Sequence, residues 1–258
     1  LILNIDVHLE YQLSRPADLL LQIEAAHLPD QPVQNAQIDF SDVSDFARVS
    51  ADESVGDRIW LRADGLFRCD YRAEVRIDRA FVDLSLLDAV PPHRLPGDTV
   101  RYLMPSRYCP SDEFQTFVAA EFGHLSGGAQ ITAMRDWIER SFRYVPGVSN
   151  AQTTALDSFV QRQGICRDYA HVLVTLARAA TIPARFASVF APGVTPPDFH
   201  AVAEVYLDGG WHLVDPTGMG TSADIARIGV GADAAAVAFL NIFGQAEFVA
   251  QSVSVTEA

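Results

Sequence analysis

The sequence predicts an α+β protein built as two domains. Three observations carry this: apolar and polar side chains alternate in the strand-like first ninety residues, prolines crowd the stretch from Pro91 to Pro110, and apolar residues then recur at helical spacing before a β-hairpin. At 258 residues the chain is near the upper limit for a single core. Residues 1–95 are therefore expected to form a β-rich unit and residues 96–258 a mixed helix and sheet unit.

The first strand is read from Leu1, Leu3, Ile5, Val7, Leu9 and Tyr11, which share one face. The clearest strand is Phe67, Cys69, Tyr71, Ala73, Val75 and Ile77, set between Arg68, Asp70, Arg72, Glu74, Arg76 and Asp78, the pattern of a sheet with one wet face. Cys69 lies on the apolar face and is expected to be packing material. Pro91-Pro92, Pro96-Gly97 and Pro105 interrupt regular structure and mark the domain boundary. Helices are expected over 112–122 and 131–142, where Phe114, Phe117 and Val118, then Ile131, Met134, Trp137 and Ile138, follow three and four spacing.

Composition narrows the function. Hydrophobic residues make up 49% and charged residues 20%, which argues for a folded chain and against disorder. A net charge of -14 repels nucleic acid and anionic membrane surfaces, so neither is an expected partner. No apolar run reaches the ~18 residues that span a bilayer. Cys69, Cys109 and Cys166 are odd in number and contain no CxxC pair, which leaves at least one free thiol and suits a reducing, cytoplasmic setting.

A third helix is expected from Cys166 to Ala180, with Ala170, Leu173, Leu176, Ala177 and Ala180 on one stripe and Pro183 beyond its end. Cys166 stands in its first turn after the turn residue Gly164, where unpaired N–H groups and the helix dipole stabilise a thiolate. The same amides suit the negative charge that develops on an attacked carbonyl oxygen. A base is then needed, and His200 opens the run to Leu207, followed by the turn Asp208-Gly209-Gly210 and a return strand ending at Asp215. A two-residue turn sets Leu207 against Gly210 and Asp215 against Val202, making Asp215 a diagonal neighbour of His200, ~7 to 8 Å away at the backbone. A thiol to attack, an imidazole to carry its proton and a carboxylate to orient the imidazole complete a nucleophilic set: Cys166, His200 and Asp215.

Gly164-Ile165-Cys166-Arg167-Asp168-Tyr169-Ala170-His171, Phe199-His200-Ala201 and Trp211-His212-Leu213-Val214-Asp215-Pro216-Thr217 resemble the three motifs of the bacterial transglutaminase-like superfamily. Tyr108 to Asp112 and Arg227 to Ala234 resemble flanking segments of members with an added N-terminal β domain. The resemblance implies a papain-like α+β catalytic core behind a β-sandwich-like N-terminal domain. It also implies cysteine chemistry on an amide or peptide bond, as in a cysteine protease or amidase acting on a peptide, a protein or a small amide. Acyl transfer from glutamine to an amine uses the same residues. A binding or scaffold module that retains the triad is the reading from another class.

Other polar residues have plainer explanations. His171 lies about 140° around the helix from Cys166 and is expected to be structural or surface. His212 alternates away from the Asp215 face, and Asp168 is accounted for by the free amides of the helix start. A second oxyanion donor is sought among Tyr144, Trp137 and Gln163; Tyr144 is the candidate, although core packing explains an aromatic there as well. No metal site and no cofactor are expected: the cysteines and histidines lack zinc spacing, and phosphate-cradling, dinucleotide and calcium loops are missing.

Overall fold

A computed structural model describes residues 1–258. Six strands come first: β1 (Ile2–Leu13), β2 (Ala17–Leu21), β3 (Val33–Phe40), β4 (Val43–Ser50), β5 (Asp57–Ala63) and β6 (Leu66–Arg76). Helices α1 (Gln115–Phe122) and α2 (Gly127–Ser141) follow, then β7 (Arg143–Tyr144), α3 (Ala155–Gln161), β8 (Gln163–Gly164) and α4 (Cys166–Ala179). The chain ends with β9 (Ala184–Phe190), β10 (His200–Leu207), β11 (Gly210–Val214), β12 (Ala226–Gly231), β13 (Leu240–Phe243) and β14 (Ala246–Glu257).

The first strands build a sandwich of two antiparallel sheets, ordered β14-β1-β6-β3 and β13-β2-β5-β4. Period-two patterning sets its register: Leu9 opposes Cys69, Val7 opposes Tyr71, Ile5 opposes Ala73 and Leu3 opposes Val75, all buried. These side chains meet Leu19, Leu21, Ile59 and Leu61 of the other sheet in one core. Cys69 is packing within it, as its place on the apolar face predicts.

The sandwich departs from the expected 1–95 unit at its far end. Strands β13 and β14, placed by the sequence reading in 96–258, return to pair with β2 and β1. The physical reason is edge protection: without β14, the long strand β1 would expose a row of unpaired N–H and C=O groups. The two units also share core, because Phe190, Phe199, Ala226 and Ile228 pack among the sandwich side chains.

In the second unit, a sheet ordered β11-β10-β9-β12 is covered by α4, whose Val172, Leu173 and Leu176 meet Ala203, Val205 and Val214. The remaining helices flank α4. Helix α1 begins at Gln115, after a 3-10 turn over Ser111–Glu113, and not at 112. Helix α2 begins at Gly127, four residues before the expected 131, because the turn at Leu84–Leu86 lies against it; any side chain on Gly128 would collide with the Leu84 carbonyl. The proline-rich stretch runs as short 3-10 turns, tied down where Arg178 donates to Met104 O and Ser106 Oγ at 3.0 and 3.1 Å. No helix is long and apolar enough to cross a membrane.

Candidate active site

Cys166 is the first residue of α4, and the segment before it is held from two sides. The two-residue strands β7 and β8 pair in parallel, setting Tyr144 opposite Gly164. Asp168 Oδ2 accepts from Ile165 N at 2.9 Å, with its side chain fully buried against Gly164. A Cβ at Gly164 would lie 2.6 Å from Asp168 Cβ, so only glycine permits this approach. Gly164→Ala is therefore expected to destabilise the protein by about 1–3 kcal/mol through overpacking, read as a lower denaturation midpoint. An unchanged midpoint would show that the Cys166 turn does not depend on this contact.

His200 starts β10, paired with Val189 of β9. The hairpin to β11 turns on Asp208 and Gly209, both at positive φ (48° and 82°), which gives the two-residue turn and sets Leu207 against Gly210 and Ala203 against Val214, as expected. This register carries Asp215 to His200: Nε2 lies 2.8 Å from Asp215 Oδ2, with the two side chains 0% and 1% exposed. Asp215 has further partners that the sequence reading did not single out. Oδ2 accepts from Gly220 N at 2.9 Å, and Oδ1 accepts from Thr217 N and Thr217 Oγ1 at 2.8 and 2.7 Å. Four donors on one buried carboxylate fix both its orientation and its charge.

The electrostatics follow from these contacts. Burial alone would lower the His200 pKa, but its bonds to Asp215 and the adjoining Cys166 thiol raise it from 6.5 to about 10. Asp215 is held below the usual carboxylate range: burial opposes this, and the hydrogen bonds from His200 and Thr217 outweigh it. The other imidazole nitrogen, Nδ1, is buried without an aligned hydrogen bond, leaving it available to the thiol. Because the folded value lies above 6.5, the imidazolium contributes stability fully below that pH and loses it as pH rises through about 10.

Tyr144 is brought to the site, where burial and then the Cys166 thiol push its phenol above the ordinary range, while the Cys166 backbone N–H opposes this. Trp137 and Gln163 are not brought there. Trp137 packs among Phe117, Phe159 and Arg162, and Gln163 Nε2 reaches Gln161. His171 is fully buried, accepts from Ala234 N at 3.1 Å and stacks on Tyr108 at 5.0 Å; burial lowers its pKa to about 3, a structural role. His212 Nε2 lies 3.2 Å from Leu207 O. Burial pushes the Cys109 thiol up to about 11, and pushes Cys69 up as well.

Cys166, 8% exposed, and His200 line a cavity of about 430 Å³ whose walls include Phe186, Phe199, Val237 and Phe239. Its charged rim residues are Arg167, which donates to Asp168, and Asp198, whose Oδ1 accepts from Phe199 N and Gln251 Nε2 at 2.7 and 2.6 Å. Neither was singled out from sequence.

Residues 117–216 match the model of the transglutaminase-like superfamily. A solved structure from Cytophaga hutchinsonii, described as a candidate cysteine protease, superposes with TM-score 0.91 at 30% identity, covering 99% of this chain and 90% of that one. The chain belongs to the transglutaminase-like superfamily. That membership places it in a family of cysteine-type enzymes and accounts for the α+β fold, with α4 against an antiparallel sheet. This transglutaminase-like chain is also 28% identical over 145 residues to the Mycobacterium leprae protein ML0607, matching 51% of its own length and 50% of that protein's. The chain thus spans about half the length of this curated relative. The periplasmic domain of TgpA from Pseudomonas aeruginosa, bound to ethylmercury, is similar at 20% identity, 82% and 76% coverage and TM-score 0.43.

Proposed function

We propose that the protein is a cysteine hydrolase that cleaves an amide or peptide bond of a peptide, a protein or a small amide. The observation that carries this is the buried His200–Asp215 pair at 2.8 Å beside Cys166, at the base of an apolar cleft. With His200 an imidazolium that already holds the thiol's proton at Nδ1, Cys166 Sγ attacks the carbonyl carbon, while Asp215 keeps the imidazolium oriented and stabilises its charge. The carbonyl oxygen takes the electron pair, and the Cys166 backbone N–H and the Tyr144 phenol are the donors suited to it. The imidazolium then gives its proton to the departing amine, leaving a thioester. Water, activated by His200, displaces the thiolate and releases the acid.

Transfer of the acyl group to an amine remains the second reading, favoured by Asp198, a carboxylate at the rim that attracts a cationic amine. Product analysis with a glutamine peptide and a primary amine separates the two: free acid marks hydrolysis, and the amine adduct marks transfer. Three unpaired thiols, Cys69, Cys109 and Cys166, suit the cytoplasm as its compartment.

Alkylation tests the activated thiol directly. With iodoacetamide at pH 7, Cys166 is expected to label at least about tenfold faster than Cys69 or Cys109, and His200→Ala to remove that advantage. Mass spectrometry assigns each site. Equal labelling of the three cysteines would sink the triad and favour a scaffold role.

A further inference from the structure

A chain of charge, buried at Arg185 and Glu204 and partly exposed at Arg79, Arg227 and Asp30, lies on the face of the catalytic sheet turned away from α4. Arg185 meets Glu204 at 2.7 Å, Glu204 meets Arg227 at 3.2 Å, Arg227 meets Asp30, and Asp30 meets Arg79 at 2.7 Å. Three guanidinium groups thus share two carboxylates, an excess of one positive charge in a protein of net charge -14. The excess charge falls where Arg79 and Arg227 are 16% and 12% exposed, and desolvating it to that extent is costly unless an anion completes it. Arg79 Nη2 and Arg227 Nε are both buried without a hydrogen-bond partner. Burial and then repulsion from Arg227 hold the Arg79 guanidinium below its usual pKa, although Asp30 acts against them.

Both arginines line a cavity of about 550 Å³ whose lining also includes Ser85, Thr132, Thr221 and Trp211. The acids in its wall are already engaged. Asp215 has its four donors, Asp83 Oδ1 accepts from Ser85 N and Oγ at 3.0 and 2.7 Å, and Asp30 is shared between the two arginines. We propose that this cavity is a binding site for a small oxyanion, a phosphate or carboxylate group received by Arg79 and Arg227. The planar donors of arginine match an oxyanion with at least two acceptor oxygens, and the cavity shares no lining residue with the Cys166 cleft, although Asp215 and Gly220 stand in its wall.

Trp211 provides the readout. The full chain, in Tris chloride, is titrated with sodium phosphate, citrate, an N-acetyl dipeptide with a free carboxylate and the same dipeptide as its amide, each against sodium chloride at equal ionic strength. A saturable change in tryptophan emission is expected, absent in Trp211→Phe, with affinity weakened about tenfold or more in Arg79→Gln. Phosphate or citrate binding identifies a free anion; binding of the dipeptide acid but not its amide identifies a peptide terminus. No saturable response to any probe overturns the site, as does a response that survives in Trp211→Phe or an unchanged affinity in Arg79→Gln. Arg79 also braces Ser222 O and Ile225 O, so if Arg79→Gln fails to fold, the wild-type and Trp211→Phe titrations decide.

Discussion

Cys166→Ala is expected to lower amide turnover by about 10⁴-fold or more while leaving the protein folded. The nucleophile has no substitute here: the other thiols, Cys69 and Cys109, are fully buried in separate cores, and their pKa values are pushed upward. The structural cost is small. Cys166 packs with Ala170, Phe186, Ala201 and Val237 at the cleft edge, and deleting one sulfur there costs on the order of 1 kcal/mol. Cys69→Ala should show the opposite signature, a stability loss of about 1–2 kcal/mol with unchanged turnover, because its side chain faces only the sandwich core. Rates on a peptide substrate, with denaturation midpoints of all three proteins, check both statements. Turnover within tenfold of wild type in Cys166→Ala would refute the proposed chemistry.

Legibility in the sequence followed local periodicity. Strands β1 and β6 and helix α4 could be read because one face of each is apolar at a fixed spacing, and the Asp208-Gly209 turn fixed the register that carries Asp215 to His200. Strand β14 could not be read in the same way. It covers the edge of β1 with Val253 as its one buried side chain, so its pairing is written in backbone bonds and not in side-chain alternation. Thr217 and Gly220 were missed for a related reason, since a backbone N–H that reaches Asp215 leaves no mark of residue type. Asp215 did leave one for Thr217: an aspartate side chain commonly accepts from the backbone N–H two residues on, as it does here. Arg79 and Asp30 are both visible in the sequence as charges, but their meeting with β12 depends on tertiary contacts that spacing does not encode.

The same charge chain sets the largest stability effect. Glu204→Ala is expected to cost about 3–5 kcal/mol, because it strands Arg185 and removes one of the two partners of Arg227 in a buried setting. Glu204 is 0% exposed and Arg185 4%, so neither water nor salt can replace the lost carboxylate cheaply. The loss should not reflect missing attraction alone. A double variant, Glu204→Leu with Arg185→Met, removes charge and partner together and refills the space, and Arg227 keeps Asp30. It should therefore lose less stability than Glu204→Ala by itself, even though more of the ion-pair chain is gone. Urea denaturation of the three proteins measures this. A double variant that loses as much as Glu204→Ala would mean that the pair is net stabilising in its own right.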